Sequence, residues 1–234
     1  MQLFYNPLLD NSFKQFFFNS EESRHIVKVL RKQEGDHLQI TNGRGTIFKA
    51  ELLIADPRKS KAQIVSEDTV IPRLHSLHLA VAPTKMNDRF EWFLEKATEI
   101  GVNEITPIQC ERSERKIIKP ERFERVLQSA MKQSLQAYLP KLHPLMSFQD
   151  FIAHKHQGLK FIAHCENGEK MEFRRSVAAD KPITILIGPE GDFSHHEINQ
   201  AHQHAYIPVS LGRNRLRTET AAIVACTTVA IINS

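Results

Sequence analysis

Cysteine is scarce and badly placed for pairing: Cys110, Cys165 and Cys226 are three in number and far apart. An odd, scattered set argues against a disulfide framework and against a zinc site, and fits a reducing, cytoplasmic setting. Long apolar runs are missing as well. None approaches the roughly 20 residues of a membrane-spanning helix. The apolar start, MQLFYNPLLDNSFKQFFF, is broken by Asn, Pro, Asp and Lys and lacks the basic n-region of a secretory leader. No membrane partner is expected. Nor is there a large excess of one charge. Lys and Arg number 31 against 27 Asp and Glu, a net +4, and the pI is about 9.0. That balance permits a nucleic-acid partner without demanding one. No G-x-G-x-x-G and no P-loop occurs. The one G-x-G, Gly43 and Gly45, lies between two strand-like runs and reads as a turn. No Ser-His-Asp or nucleophilic-cysteine arrangement stands out, and there is no internal repeat.

The 234 residues, 41% hydrophobic and 25% charged, suit a globular chain of one large domain or two small ones. The patterning favours two, residues 1–72 and 73–234. In the first, residues 21–32 read as a helix with Ile26, Val29 and Leu30 on one side and Arg24, Lys28, Arg31 and Lys32 on the other. Residues 37–41 and 46–54 alternate like strands around an Asn-Gly turn, and 62–66 adds another. Several short strands with one helix suggest a small β-barrel. The basic helix side, with Arg58, Lys59 and Lys61, fits either a phosphate grip or a solvated face.

Val70, Ile71, Pro72 and Arg73 form the candidate linker, after which strand and helix alternate. Residues 76–82, 104–109 and 160–164 read as strands. Asn87 is placed to cap a helix with a stripe of Phe90, Phe93, Leu94, Ala97 and Ile100, ended by Gly101. Pro120 suits the first position of another helix, and Ser147 with Asp150 opens a third that ends near Gly158. This alternation predicts an α/β fold with a parallel sheet covered on both faces.

The most informative stretch is 183–230. An apolar run, 183–187, ends in Gly188, Pro189, Glu190 and Gly191; Ser194 and Glu197 then form a capping box. A second run, 207–211, ends in Gly212; Arg213, Arg215 and Arg217 follow, and Thr218 and Glu219 start an apolar helix. Two strands thus end in glycine turns that feed helices, and strand carboxyl ends are where α/β sheets bind ligands. The arginines suit bidentate contact with phosphate, carboxylate or carbonyl groups. Arg112, Arg115, Lys116 and Lys119 alternate with acids, a pattern open to two readings, solvated surface or RNA-facing loop. His195 and His202 could share a helix face, but no cysteine or carboxylate pattern completes a site, so surface histidines and no metal are expected.

The segment from Leu186 and Ile187 through Gly191, with Phe193, Ser194 and Glu197, then Leu211 and Gly212, then Leu216 to Ala221, resembles the RsmE family of 16S rRNA (uracil-N3-)-methyltransferases, of the SPOUT class. Residues 96–102 and 111–113 resemble its second signature, and 25–31 with Gly35 and Asp36 its N-terminal domain. The resemblance implies a PUA-like β-barrel for RNA followed by a SPOUT domain with a C-terminal trefoil knot. It implies a homodimer, S-adenosylmethionine as cofactor, and methylation of one uridine in helix 44 of the small ribosomal subunit. Carried over by position, the cofactor contacts are Ile187, Gly188, Pro189, Glu190 and Gly191, then Leu211, Gly212, Leu216, Arg217, Thr220 and Ala221. His164 and Glu166 close over the adenosine. Arg217 and Glu219 are the catalytic candidates, and Arg24, Lys28, Arg31, Arg112 and Arg115 the RNA contacts. The chain departs from the family at Asp192, where a second glycine is usual, at Leu135 to Ala137, which lack an arginine, and at Gln2.

Overall fold

The computed structural model describes residues 2–234. They form two compact units: the chain up to Pro72 joined by Met131–Leu139, and Arg73–Ala130 joined by Pro140–Ser234.

The first unit contains β1 (Leu3–Tyr5), β2 (Gln15–Phe17), α1 (Ser20–Arg24), β3 (His37–Thr41), β4 (Thr46–Ile54) and β5 (Lys61–Thr69). The strands run in the order β1-β3-β4-β5-β2, with β1 parallel to β3 and the other pairs antiparallel. Two register shifts in β4–β5 bend the sheet around a core of Phe4, Phe16, Ile26, Ile40, Phe48 and Leu52. The β3–β4 turn is held by Asn42, whose Oδ1 accepts the N–H groups of Arg44 and Thr46. Gly45 has φ +97°, and a Cβ there would collide with the Tyr138 hydroxyl. Residues 131–139 belong with this unit through such contacts; Ala137 O accepts Gly45 N–H and the Thr41 hydroxyl, each at 3.0 Å.

The single helix expected over 21–32 is a correction. After five α-helical residues the chain widens into a π-helical turn, His25–Val29, and Arg31 takes φ +54°. The wider turn rotates Val29 off the core side, leaving it 64% exposed while Ile26 is buried.

The second unit is an α/β layer. Its strands are β6 (Ser76–Val81), β7 (Glu104–Gln109), β8 (Lys141–Leu142), β9 (Met146–Ser147), β10 (Leu159–Ala163), β11 (Met171–Glu172), β12 (Pro182–Ile187) and β13 (Ile207–Ser210). Its helices are α2 (Asn87–Ile100), α3 (Pro120–Gln133, whose last turn joins the first unit), α4 (Phe148–Ala153), α5 (Phe173–Ser176), α6 (His195–Gln203) and α7 (Thr218–Ile232). The order is β11-β13-β10-β12-β6-β7-β8, with β9 beside β7, and every pair is parallel. Ala80, Ile108, Ile162 and Leu186 meet α4 and α6 on one face. α2 and α7 pack together, and α7 also lies against β6 and β12. From β6 the chain moves to β7 on one side, and from β12 to β13 on the other. The β6–β12 pair is therefore the topological switch of the sheet.

Local signals differ in detail. Asn87 is the first residue of α2 rather than its cap; Met86 holds that position with no side-chain bond, while Gly101 ends the helix at φ +106°. α4 stops at Ala153, short of Gly158. The capping box of α6 is fully formed.

Candidate active site

A cavity of about 300 Å³ opens at the carboxyl ends of β10 and β12. One wall is Ile187, Gly188, Pro189, Glu190 and Asp192; the other is Arg215, Leu216, Arg217, Thr218 and Ala221; Ala163 and Cys165 complete it. The walls are joined by the buried Thr218 hydroxyl, which donates to Gly188 O at 3.0 Å. Gly188 lies under Phe193, whose ring would stand 3.1 Å from an added Cβ, so the close turn favours glycine. Ile187 is buried, and its carbonyl accepts Ala82 N–H at 3.0 Å, tying the strand end to that of β6.

A brace of polar contacts fixes this loop from behind. Glu197, 1% exposed, accepts Ser194 N–H and Glu111 N–H through its two oxygens at 2.8 and 2.9 Å. Arg112 donates to Gly191 O and Phe193 O. Arg115 donates to the carbonyls of Thr84 and Lys85, and Lys85 N–H donates to Glu190 Oε1. Arg112 and Arg115, named from the sequence as RNA contacts, therefore have guanidinium N–H groups engaged in holding the loops after β6, β7 and β12 together.

Asp192 explains the departure from glycine. It has φ +62°, the left-handed region that glycine favours and Asp tolerates through local hydrogen bonds. Its Oδ1 accepts Phe193 N–H at 2.8 Å and its Oδ2 accepts Cys165 N–H at 2.7 Å. The side chain links the loop after β12 to the loop after β10.

Of the remaining predicted residues, Leu211 and Gly212 line a separate cavity of about 450 Å³ with Phe173, Arg174 and Arg213. Gly191 and Thr220 line neither. Glu219 is 8% exposed, and its Oε2 has no hydrogen-bond partner. His164 is half-buried with both ring nitrogens unpartnered; burial, then the Lys170 ammonium, lowers its pKa from 6.5. Glu166 pairs with His195 at 2.6 Å, and Lys170 binds the carbonyls of His164 and Glu166, folding this loop onto itself. Ala163, Cys165, Arg215 and Thr218 line the cavity without having been among the cofactor contacts expected from the sequence, although Arg215 and Thr218 stand in the stretch singled out there. A strand end and a helix start were the signals that could have found the first and last of them.

In the first unit, Arg24 and Lys28 line a concavity of about 640 Å³ with His25 and Arg58. Arg31 lies beyond the π-helical turn and is not part of that lining. The Lys59 ammonium sits 4.5 Å from the centre of the Phe17 ring. This basic, partly aromatic surface suits a phosphate backbone.

A parallel sheet with a cleft at the carboxyl ends of two neighbouring strands, closed by the start of the last helix and preceded by a PUA-like barrel, defines an RNA methyltransferase of the SPOUT class. Residues 72–230 match a family described as RNA methyltransferase domain, and residues 18–65 one described as RNA methyltransferase PUA domain. The ribosomal RNA small subunit methyltransferase E of Buchnera aphidicola is 33% identical over 93% of this chain and 88% of its own. A Porphyromonas gingivalis structure described as a probable rRNA-methyltransferase is 39% identical, with a TM-score of 0.92 over 100% of this chain and 98% of that one. A Legionella pneumophila methyltransferase, solved with the bound cofactor SAM, is 28% identical, with a TM-score of 0.87 over 99% of this chain and 97% of that one. The chain belongs to the ribosomal RNA small subunit methyltransferase E (RsmE) family.

Proposed function

We propose that this protein transfers a methyl group from S-adenosylmethionine to N3 of one uridine in helix 44 of 16S rRNA, acting as a cytoplasmic homodimer. The observation that carries the cofactor reading is the cavity where the Gly188–Asp192 wall meets the Arg215–Ala221 wall through the Thr218–Gly188 bond. The Legionella relative, which holds SAM, supports it. The residues fit such a ligand. Gly188 keeps the backbone open, and Ile187, Leu216 and Ala221 supply apolar surface. The uridine position and the dimer follow from the family resemblance. α7 adds support for the dimer, because Ile223, Val224 and Ile231 remain partly or fully exposed on a helix whose other side is already core.

When bound, the cofactor supplies an activated methyl carbon, so the protein mainly positions the reactants. Arg217, exposed at the cavity wall, stabilises negative charge on the uracil carbonyls as N3 loses its proton. Glu219 orients that arginine or accepts the proton. Nucleoside mass spectrometry of 16S rRNA from a deletion strain tests the reading. Loss of 3-methyluridine is expected. Loss of another modified base, or of a ribose 2′-O-methyl group, would move the chemistry to that atom; no change would leave an RNA-binding role.

A further inference from the structure

At the amino ends of the same sheet, opposite the cofactor cleft, three donors converge that lie far apart in sequence. His78 is the third residue of β6, Glu104 the first of β7, and His143 follows β8. One ligand atom from each lies within 4.8 Å of the others. His143 Nε2 is 2.6 Å from Glu104 Oε2, and the His78 and His143 rings stack at 5.2 Å. The backbone places them firmly: His143 N–H donates to Ile105 O, and β6 pairs with β7 at His78 and Glu104.

We propose that His78, Glu104 and His143 bind a divalent transition-metal ion of the zinc class, clipping β6, β7 and the segment after β8 together. Two imidazoles and one carboxylate are a donor set suited to zinc and its neighbours and poorly matched to magnesium or calcium. Bonds of about 2.0–2.1 Å place tetrahedral donors about 3.3 Å apart, a separation that small side-chain movements reach from the observed cluster. The donors face a cavity of about 380 Å³, also lined by Thr106, Thr184 and His156, with space for a water at an open coordination position. Thr106 Oγ1, 2.7 Å from His78 Nε2, orients that ring as an outer-shell partner does. The position, away from the cofactor cleft, makes the ion a structural clip and not part of methyl transfer.

The test uses the full chain and Zn²⁺ or Co²⁺ alone. Calorimetric titration against a competing chelator should give one Zn²⁺ per chain, and Co²⁺ should give visible absorption typical of nitrogen and oxygen ligands. Glu104→Gln and His143→Gln should each weaken Zn²⁺ binding by at least tenfold. A His195→Gln/His202→Gln chain, altered only on α6, should bind as before. Zn²⁺ should raise the melting temperature where Mg²⁺ does not. Absence of stoichiometric binding to the unaltered chain would overturn the proposal, and that measurement does not depend on any variant folding. So would binding that survives both ligand substitutions, or binding lost with the α6 histidines.

Discussion

Asp192 accepts the backbone N–H of Cys165 at 2.7 Å, so one carboxylate joins the loops that follow β12 and β10. A left-handed aspartate at φ +62° in a position suited to glycine is strained by about 1 kcal/mol, while a charge-assisted hydrogen bond contributes about 1.5–3 kcal/mol. Asp192→Gly therefore relieves strain but releases the loop. Its melting temperature should fall only slightly, while S-adenosylhomocysteine affinity measured by calorimetry drops about three- to tenfold. Asp192→Ala loses the bonds and keeps the strain, and should melt lower than either.

Arg217 immediately precedes the last helix and lines the cavity. Arg217→Ala should lower the methylation rate by about 10²–10³-fold, the range seen when a donor to developing negative charge is removed. Cofactor affinity should fall by much less, the part of the loss due to the Arg217 contact with the cofactor cavity. Single-turnover methylation with parallel calorimetry separates the two effects; full activity would remove Arg217 from the mechanism.

Thr218→Val deletes the hydroxyl that reaches Gly188 O and leaves that carbonyl without this donor. The expected cost is about 1–3 kcal/mol, read as a lower urea midpoint. Thr218→Ser keeps the oxygen and should recover most of it.

Much of the site could be read from the sequence because its carriers are local. The glycine turn at 188, the capping box at 194–197 and the apolar helix from 218 are contiguous signals; the turn and the helix start line one cleft, and the capping box braces the turn from behind. What the sequence left unread depends on chain crossings. Arg112 and Arg115 fit an RNA-facing loop by pattern, yet their guanidiniums hold carbonyls of loops 30 or more residues distant. The π-helical turn at His25–Val29 leaves the polarity pattern of a helix intact while turning Val29 outward. The tie of residues 131–139 to the barrel rests on hydrogen bonds to Thr41 and Gly45 that no periodicity encodes.

His164 provides a pH test. Burial lowers its pKa below the ordinary 6.5, so the folded state binds fewer protons than the unfolded chain as acid is added. Its contribution to stability is complete above about pH 6.5 and is lost as pH falls toward the depressed folded value. Thermal melts from pH 7.5 downward should show a steeper decline for the unaltered chain than for His164→Gln. Parallel profiles would mean that His164 does not titrate with folding.

The most direct measurement is methyl transfer itself. The purified protein, S-adenosylmethionine with a labelled methyl group, and small ribosomal subunits from a deletion strain are combined, and the rRNA is digested to nucleosides for mass spectrometry. About one labelled 3-methyluridine per subunit is expected, mapped to helix 44 and reduced by Arg217→Ala. Label on another base or on a ribose oxygen, or no label from a protein that binds S-adenosylhomocysteine, would contradict it.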